Sequence, residues 1–280
     1  MSTRSIALAN QKGGVGKTTT AVSLAACLAE QGKRTLLVDL DPQANATSAL
    51  GLEKLSGGSV YNALLGGAQL ADSIRPSGYD HLEIIPSEVD LAVAEVDVAR
   101  TENYLQRMRM ALMPIHDANR YEFLLVDCPP SLGILTMNAL AAVDRVLVPL
   151  QCEYFALEGL AVIMRVLQQI KDSGANPGLE LEGIVMTMFD GRTNLSQQVV
   201  NEVRSHFGEK VFKTIIPRTV RLGEAPSFGK PITAYDTHSQ AAAAYRALTA
   251  EVIALASPAP AAPASEKAEA GTESPVSTAG

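Results

Sequence analysis

Tryptophan is absent and aromatic residues make up only 5% of this 280-residue chain, so its core must be aliphatic rather than built on large rings. Cysteine is scarce too: Cys27, Cys128 and Cys152 are too few and too scattered for a disulfide framework, and no CxxC or Cys/His spacing suggests zinc. That usage fits a reducing cytoplasm. No stretch stays apolar long enough to cross a bilayer, and the short run ending at Ala9 has the form of neither a signal peptide nor a span. A soluble, cytoplasmic protein with no membrane partner is expected. Positive charge is in deficit as well: 23 Lys and Arg against 30 Asp and Glu give a net charge of −7, which argues against a wholly basic nucleic-acid binder but leaves room for a local basic face.

What is present is 47% hydrophobic composition with 21 Gly and 15 Pro spread along the chain, enough to bury a core without staples. Short β-rich apolar runs predict strands over 6–10, 35–40, 82–86, 123–127, 145–150, 183–188 and 211–217. Helical patterns fall over 17–31, 103–113, 133–142, 157–172, 196–207 and 239–255. Alternation of this kind predicts an α/β fold, a doubly wound and mostly parallel sheet with helices on both faces, occupying 1–256. Residues 257–280 contain one Val and no Leu, Ile or Phe, and are expected to be a disordered tail. In such a sheet ligands bind beyond the carboxyl ends of the strands.

Beyond the first strand comes Asn10-Gln11-Lys12-Gly13-Gly14-Val15-Gly16-Lys17-Thr18-Thr19, leading directly into a helix. Strand, glycine loop and helix in that order let backbone N–H groups of Gly13, Gly14, Val15 and Gly16 curl around phosphates, with Lys17 reaching the β/γ phosphates, Thr18 ligating Mg²⁺ and Thr19 completing the ATP-binding run. This is a P-loop pattern for ATP and Mg²⁺, except that the usual first glycine is Gln11 and a second lysine, Lys12, follows it. Two carboxylates, Asp39 and Asp41, leave the second strand two residues apart; one can neighbour Mg²⁺ while the other orients water. The run Phe123-Leu124-Leu125-Val126-Asp127 has the form of a Walker B strand delivering Asp127 towards the metal shell. Cys128 reads as a small buried residue.

Lys12-Gly13-Gly14-Val15-Gly16-Lys17-Thr18 resembles the deviant Walker A motif of the ParA/MinD family of ATPases. The resemblance runs from about residue 4 to 255 and tightens towards the chromosomal ParA (Soj) branch at Asp41-Pro42-Gln43-Ala44-Asn45, Asp127-Cys128-Pro129-Pro130-Ser131, Gln151-Cys152-Glu153-Tyr154-Phe155 and Pro217-Arg218-Thr219-Val220-Arg221. It implies an ATP-dependent DNA-partitioning switch associated with the nucleoid. ATP closes a homodimer, Lys12 reaches across it to the partner's ATP, and the dimer binds double-stranded DNA without sequence preference. A ParB-type centromere-binding protein then stimulates hydrolysis and release. It further implies that Asp41 positions the attacking water, that Asp39 and Asp127 lie near the metal through water, and that Pro217 and Arg218 border the adenine.

The segment from 183 to 235 carries seven basic and four acidic residues, net +3, opposite in sign to the whole chain. A DNA-facing patch and a solvated mixed surface both fit that count. In the resemblance, Arg192 and Arg221 match arginines that contribute to DNA binding. The alternative within the fold is a MinD-like division-site ATPase, which would need a basic amphipathic C-terminal helix; the tail offers one Lys, three Glu and no large apolar residue but Val276. An iron–sulfur reductase would need paired cysteines in a cluster context, which Cys128 and Cys152 lack, and a non-hydrolysing nucleotide sensor would release no phosphate.

Overall fold

The computed structural model describes residues 3–54 and 60–256, so the tail expected over 257–280 lies outside the described residues. The strands are β1 (Arg4–Leu8), β2 (Thr35–Asp39), β3 (Arg75–Tyr79), β4 (Leu82–Ile85), β5 (Phe123–Asp127), β6 (Arg145–Gln151), β7 (Glu180–Phe189) and β8 (Val211–Pro217). They form one sheet in the order β3-β4-β2-β5-β1-β6-β7-β8, parallel throughout except for the β3–β4 pair at one edge. The helices are α1 (Lys17–Glu30), α2 (Asn45–Ala49), α3 (Val60–Leu64), α4 (Leu91–Ala99), α5 (Arg107–Asp117), α6 (Ile134–Ala142), α7 (Ala156–Asp172), α8 (Asn194–Phe207), α9 (Val220–Glu224), α10 (Ile232–Tyr235) and α11 (Gln240–Ala256).

The central strands read as unbroken aliphatic runs because both faces are covered. Side chains alternate between two cores: Ala7, Leu36, Val38, Leu124 and Val126 pack under α3 to α8, while Ile6, Leu8, Leu37, Phe123 and Leu125 pack under α1, α10 and α11. All are buried. Parallel register then aligns the carboxyl ends: Leu8 of β1 and Asp39 of β2 each stand opposite Asp127 of β5. The loop after β1 and the acidic ends of β2 and β5 therefore meet at one place.

The doubly wound, mostly parallel expectation holds, with differences that have local causes. The edge strand β3 was not expected; it contains Pro76 and Gly78 and pairs with a register shift, features that remove a strand signal but suit an edge. The helix expected over 103–113 runs from Arg107 to Asp117 instead. Its start is fixed from outside, since Asn138 of α6 accepts the Met108 N–H at 3.1 Å. Helix α4 was missed because its outward residues Val93 and Val96 are apolar and blur the amphipathic pattern.

One close approach ties the helix after β2 to the segment after β8. Gly229 has φ +62° and Gly51 φ +76°, and a Cβ on Gly229 would sit 2.6 Å from the Gly51 Cα. Gly229→Ala should therefore cost strain plus collision, about 2 kcal/mol or more. Gly32→Ala, at φ +72° with nothing within 4 Å, should cost only the strain, about 1 kcal/mol. Denaturant midpoints of the two variants check this; equal losses would remove the packing role assigned to the Gly51–Gly229 contact.

Candidate functional site

The phosphate loop leaves β1 and ends at Gly16, the residue capping α1, with φ +74° at Gly14 and +89° at Gly16. Those left-handed positions turn successive N–H groups inward, a conformation that glycine adopts without penalty. The first turn of α1 has no acidic residue and Gly16 has no side chain to cap it, so the positive end of a 14-residue helix is left for an anion. Lys17 is buried, and its ammonium donates to the Lys12 carbonyl at 2.9 Å, folded back over the loop. Burial lowers its pKa, while the carboxylate of Asp127 acts in the opposite direction. Lys12 points outward, half exposed, and forms an ion pair with Glu153.

At the floor of the site the three predicted carboxylates come together. Asp39 is fully committed: one oxygen accepts the Thr47 N–H and hydroxyl at 2.8 and 2.7 Å, the other the Asp41 N–H at 3.2 Å. Asp41 accepts the Gln43 N–H at 2.9 Å, and its own carbonyl is held by the Ser87 hydroxyl at 2.6 Å. Asp127 differs. Both of its oxygens are buried without a hydrogen-bond partner, the Thr18 hydroxyl standing beside it without closing a bond of ordinary geometry. Desolvation, and then the neighbouring Asp39 charge, push its pKa well above the usual carboxylate value; burial lifts Asp39 to about 6 against the pull of its Thr47 bonds.

An orphaned buried carboxylate beside a hydroxyl at a phosphate loop fits Mg²⁺. Among the described residues no three His, Cys, Asp or Glu side chains form a metal cage. The protein would thus contribute Thr18 directly and Asp127 through water, leaving the other positions to phosphate oxygens and water, as is usual for this ion. Asp39 lies next to this centre with both of its oxygens engaged, by Thr47 and by the Asp41 N–H.

Beside the loop lies a pocket of about 280 Å³ lined by Gly16, Thr19, Met188, Pro217, Arg218 and Tyr245. The two predicted base-bordering residues thus line the same pocket as the phosphate loop's end. The Arg218 N–H donates to the Phe189 carbonyl at 2.9 Å, locking the end of β8 against β7. Met188, with φ +51°, was not foreseen.

The two predicted DNA-contacting arginines stand past the carboxyl ends of β7 and β8. Arg192 is 89% exposed along its side chain and makes a two-point bond to Asp190 at 2.9 and 2.7 Å, which holds the Asp190 carboxyl well below its usual pKa. Arg221 pairs with Glu224 at 3.2 Å and Asp236 at 3.4 Å. The +3 segment is not one face, however. Helix α8 runs back across the sheet, so Arg204, near its end and bonded to the Lys213 carbonyl, lies with Lys210 and Lys213 at the opposite, amino edge. The three cysteines are free and buried, with Cys27 and Cys152 pushed up to about 12, so none is poised as a thiolate. No helix of the described residues is long and apolar enough to cross a membrane.

The acidic pair makes a pH-dependent contribution of definite sign. Folded pKa values above the unfolded ones mean that the native state holds protons the unfolded chain releases, so this contribution is full below 3.8; the Asp39 share is lost as pH rises through about 6, and the Asp127 share as pH rises through its own raised value. Asp127→Asn should therefore raise the thermal midpoint of the nucleotide-free protein more at pH 8 than at pH 5. Equal shifts at the two pH values would mean that the pair is not a source of strain.

Comparison with known proteins gives the chain's family and fold relatives. A family model described as an AAA domain matches residues 3–181. The chromosome partitioning protein ParA of Myxococcus xanthus is 50% identical over 251 residues, covering 89% of this chain and 88% of that protein. The sporulation initiation inhibitor protein Soj of Bacillus subtilis is 49% identical over 89% of this chain and 98% of its own length. Among solved structures, cobyrinic acid a,c-diamide synthase from Mycobacterium smegmatis with bound ADP and magnesium superposes with a TM-score of 0.76 at 36% identity, over 89% of this chain and 93% of that one. With half of its residues shared along nearly its whole described length, this chain belongs to the ParA/Soj family of chromosome-partitioning ATPases.

Proposed function

We propose that residues 1–256 form a Mg²⁺-dependent ATPase that acts as a DNA-partitioning switch, hydrolysing ATP to ADP and phosphate. The observation that carries this reading is the meeting of an uncapped phosphate loop, with Lys17 folded over it, and the orphaned Asp127 carboxylate. Lys17 neutralises the β/γ phosphates, and the Gly13 to Thr19 backbone binds their oxygens. Bound Mg²⁺ offsets charge as it develops on the phosphates. Thr18 directly, and Asp127 through water, would hold that ion, and Asp41, fixed by Gln43 and Ser87, orients the lytic water. Pro217 and Arg218 border the base.

Lys12 has no duty towards its own loop's phosphates in this arrangement; exposed beside Glu153, it is free to exchange that partner for the ATP of a second protomer. The ATP-bound homodimer then presents Arg192 and Arg221 from both copies to double-stranded DNA without reading its bases, and a ParB-type protein stimulates hydrolysis and release at the nucleoid. Half-identical relatives named for chromosome partitioning favour this over a division-site regulator of the same fold.

Asp41→Ala should bind ATP normally yet release phosphate about 100-fold more slowly, accumulating as an ATP-locked dimer in light scattering. Phosphate release at the parental rate would move the water-orienting role elsewhere. For DNA, Arg192→Ala and Arg221→Ala should each weaken ATP-dependent binding equally on two unrelated duplexes and flatten the salt dependence by about 0.9 of slope per lost phosphate contact. Preference for one duplex, or unchanged slopes, would refute the assignment.

A further inference from the structure

The phosphate loop binds through its backbone, so its affinity depends on how firmly that backbone is held in the binding shape before the ligand arrives. Two buried side chains hold it at its two ends. The ladder between β1 and β6 pairs Leu8 with Leu147, and Ala9 donates one further bond to the Leu147 carbonyl at 3.3 Å. Two residues on along β6, the next outward carbonyl belongs to Pro149, and it accepts not a backbone N–H but the side-chain amide of Asn10 at 2.8 Å. The other end of that side chain, Oδ1, accepts the Lys12 N–H at 3.1 Å. Asn10 thereby lets the backbone leave the sheet while its side chain continues the ladder, and it turns the chain into the loop.

The loop's far limb is secured from a different strand. Thr187 is 2% exposed, and its hydroxyl donates to the Val15 carbonyl at 2.8 Å. Its own backbone stays in the sheet, opposite Gln151 of β6, with its carbonyl accepting the Cys152 N–H at 3.1 Å. Val15 itself is 2% exposed although it belongs to a loop. The residue bonded by Thr187 lies between the two left-handed glycines, Gly14 and Gly16, which is where the backbone is otherwise freest to relax.

We infer that Thr187 and Asn10 are positioning residues for ATP, preorganising the two limbs of the phosphate loop from β7 and from the end of β1. The inference rests on the ATPase reading above and assigns that site two residues outside its Gly-Lys-Thr motif. Without the Thr187 hydroxyl the Val15 carbonyl is left unpaired in a dry place, so the empty loop relaxes to hydrate it and must be pulled back when ATP binds.

The test is titration of a fluorescent ATP analogue with Mg²⁺, alongside thermal unfolding of each variant without nucleotide. Thr187→Val should weaken binding about tenfold, which is about 1.4 kcal/mol. Thr187→Ser, which keeps the hydroxyl, should restore affinity to within about twofold, and Asn10→Ala should weaken binding independently. Parental affinity in Thr187→Val, with or without a lowered midpoint, would overturn the inference alone. So would failure of both Thr187→Val and Thr187→Ala to fold while Thr187→Ser folds, because the hydroxyl would then serve the fold rather than the loop. Failure of the parent protein to bind the analogue would instead overturn the ATPase reading and this inference with it.

Discussion

Two carboxylates forced side by side in a dry interior are the constraint on which the rest of the site depends. The register of β2 against β5 sets Asp39 opposite Asp127, and like charges at that separation and burial cannot both ionise cheaply. The fold offsets one of them. Thr47 gives Asp39 two hydrogen bonds, and the same Thr47 hydroxyl accepts the Ser87 N–H at 3.0 Å, so the price of burying Asp39 also fastens α2 and the end of β4 to the centre. Asp127 closes no such hydrogen bond; only the Thr18 hydroxyl beside it and the Lys17 ammonium work against its burial. A cation at this point would relieve a repulsion already present, which is why the arrangement suits Mg²⁺ without a cage of protein ligands.

The parts of the molecule legible in the sequence were those with a strong local signature. Aliphatic runs ending in Asp39 and Asp127 announce buried parallel strands because both faces must be apolar, and Gly13 to Thr19 announces a phosphate loop because only a glycine-rich turn feeding a helix can aim its amides inward. Elements whose position is set from elsewhere in the chain were not legible. The start of α5 depends on Asn138, and the short helices α2, α3, α9 and α10 span too few residues to display a period. The same holds at the site: Ser87 fixes Asp41 across 46 residues of sequence and Thr187 holds Val15 across 172, and neither has a motif of its own. Counting charge along the chain misled for a related reason. A helix that crosses the sheet carries its last turn to the opposite edge, so Arg204 and Arg192 belong to one charged stretch but to two ends of the molecule.

That division bears on how DNA binding would be controlled. At the carboxyl edge each protomer offers Arg192 and Arg221, and both arginines already have carboxylate partners in Asp190, Glu224 and Asp236. Engaging a phosphate means sharing or exchanging those bonds, so part of the gain from releasing counterions is spent at every contact. Exposed pairs of this kind are worth little individually, so the exchange is feasible but leaves a single protomer with a small surplus. In the proposed dimer, two protomers on one duplex would change the balance, because the second set of arginines would bind at the high effective concentration created by the first. An affinity assembled from weak, carboxylate-damped contacts is therefore sensitive to whether the chain is paired. In the proposed switch the nucleotide would act on pairing, through Lys12 and the loop, rather than on the arginines themselves.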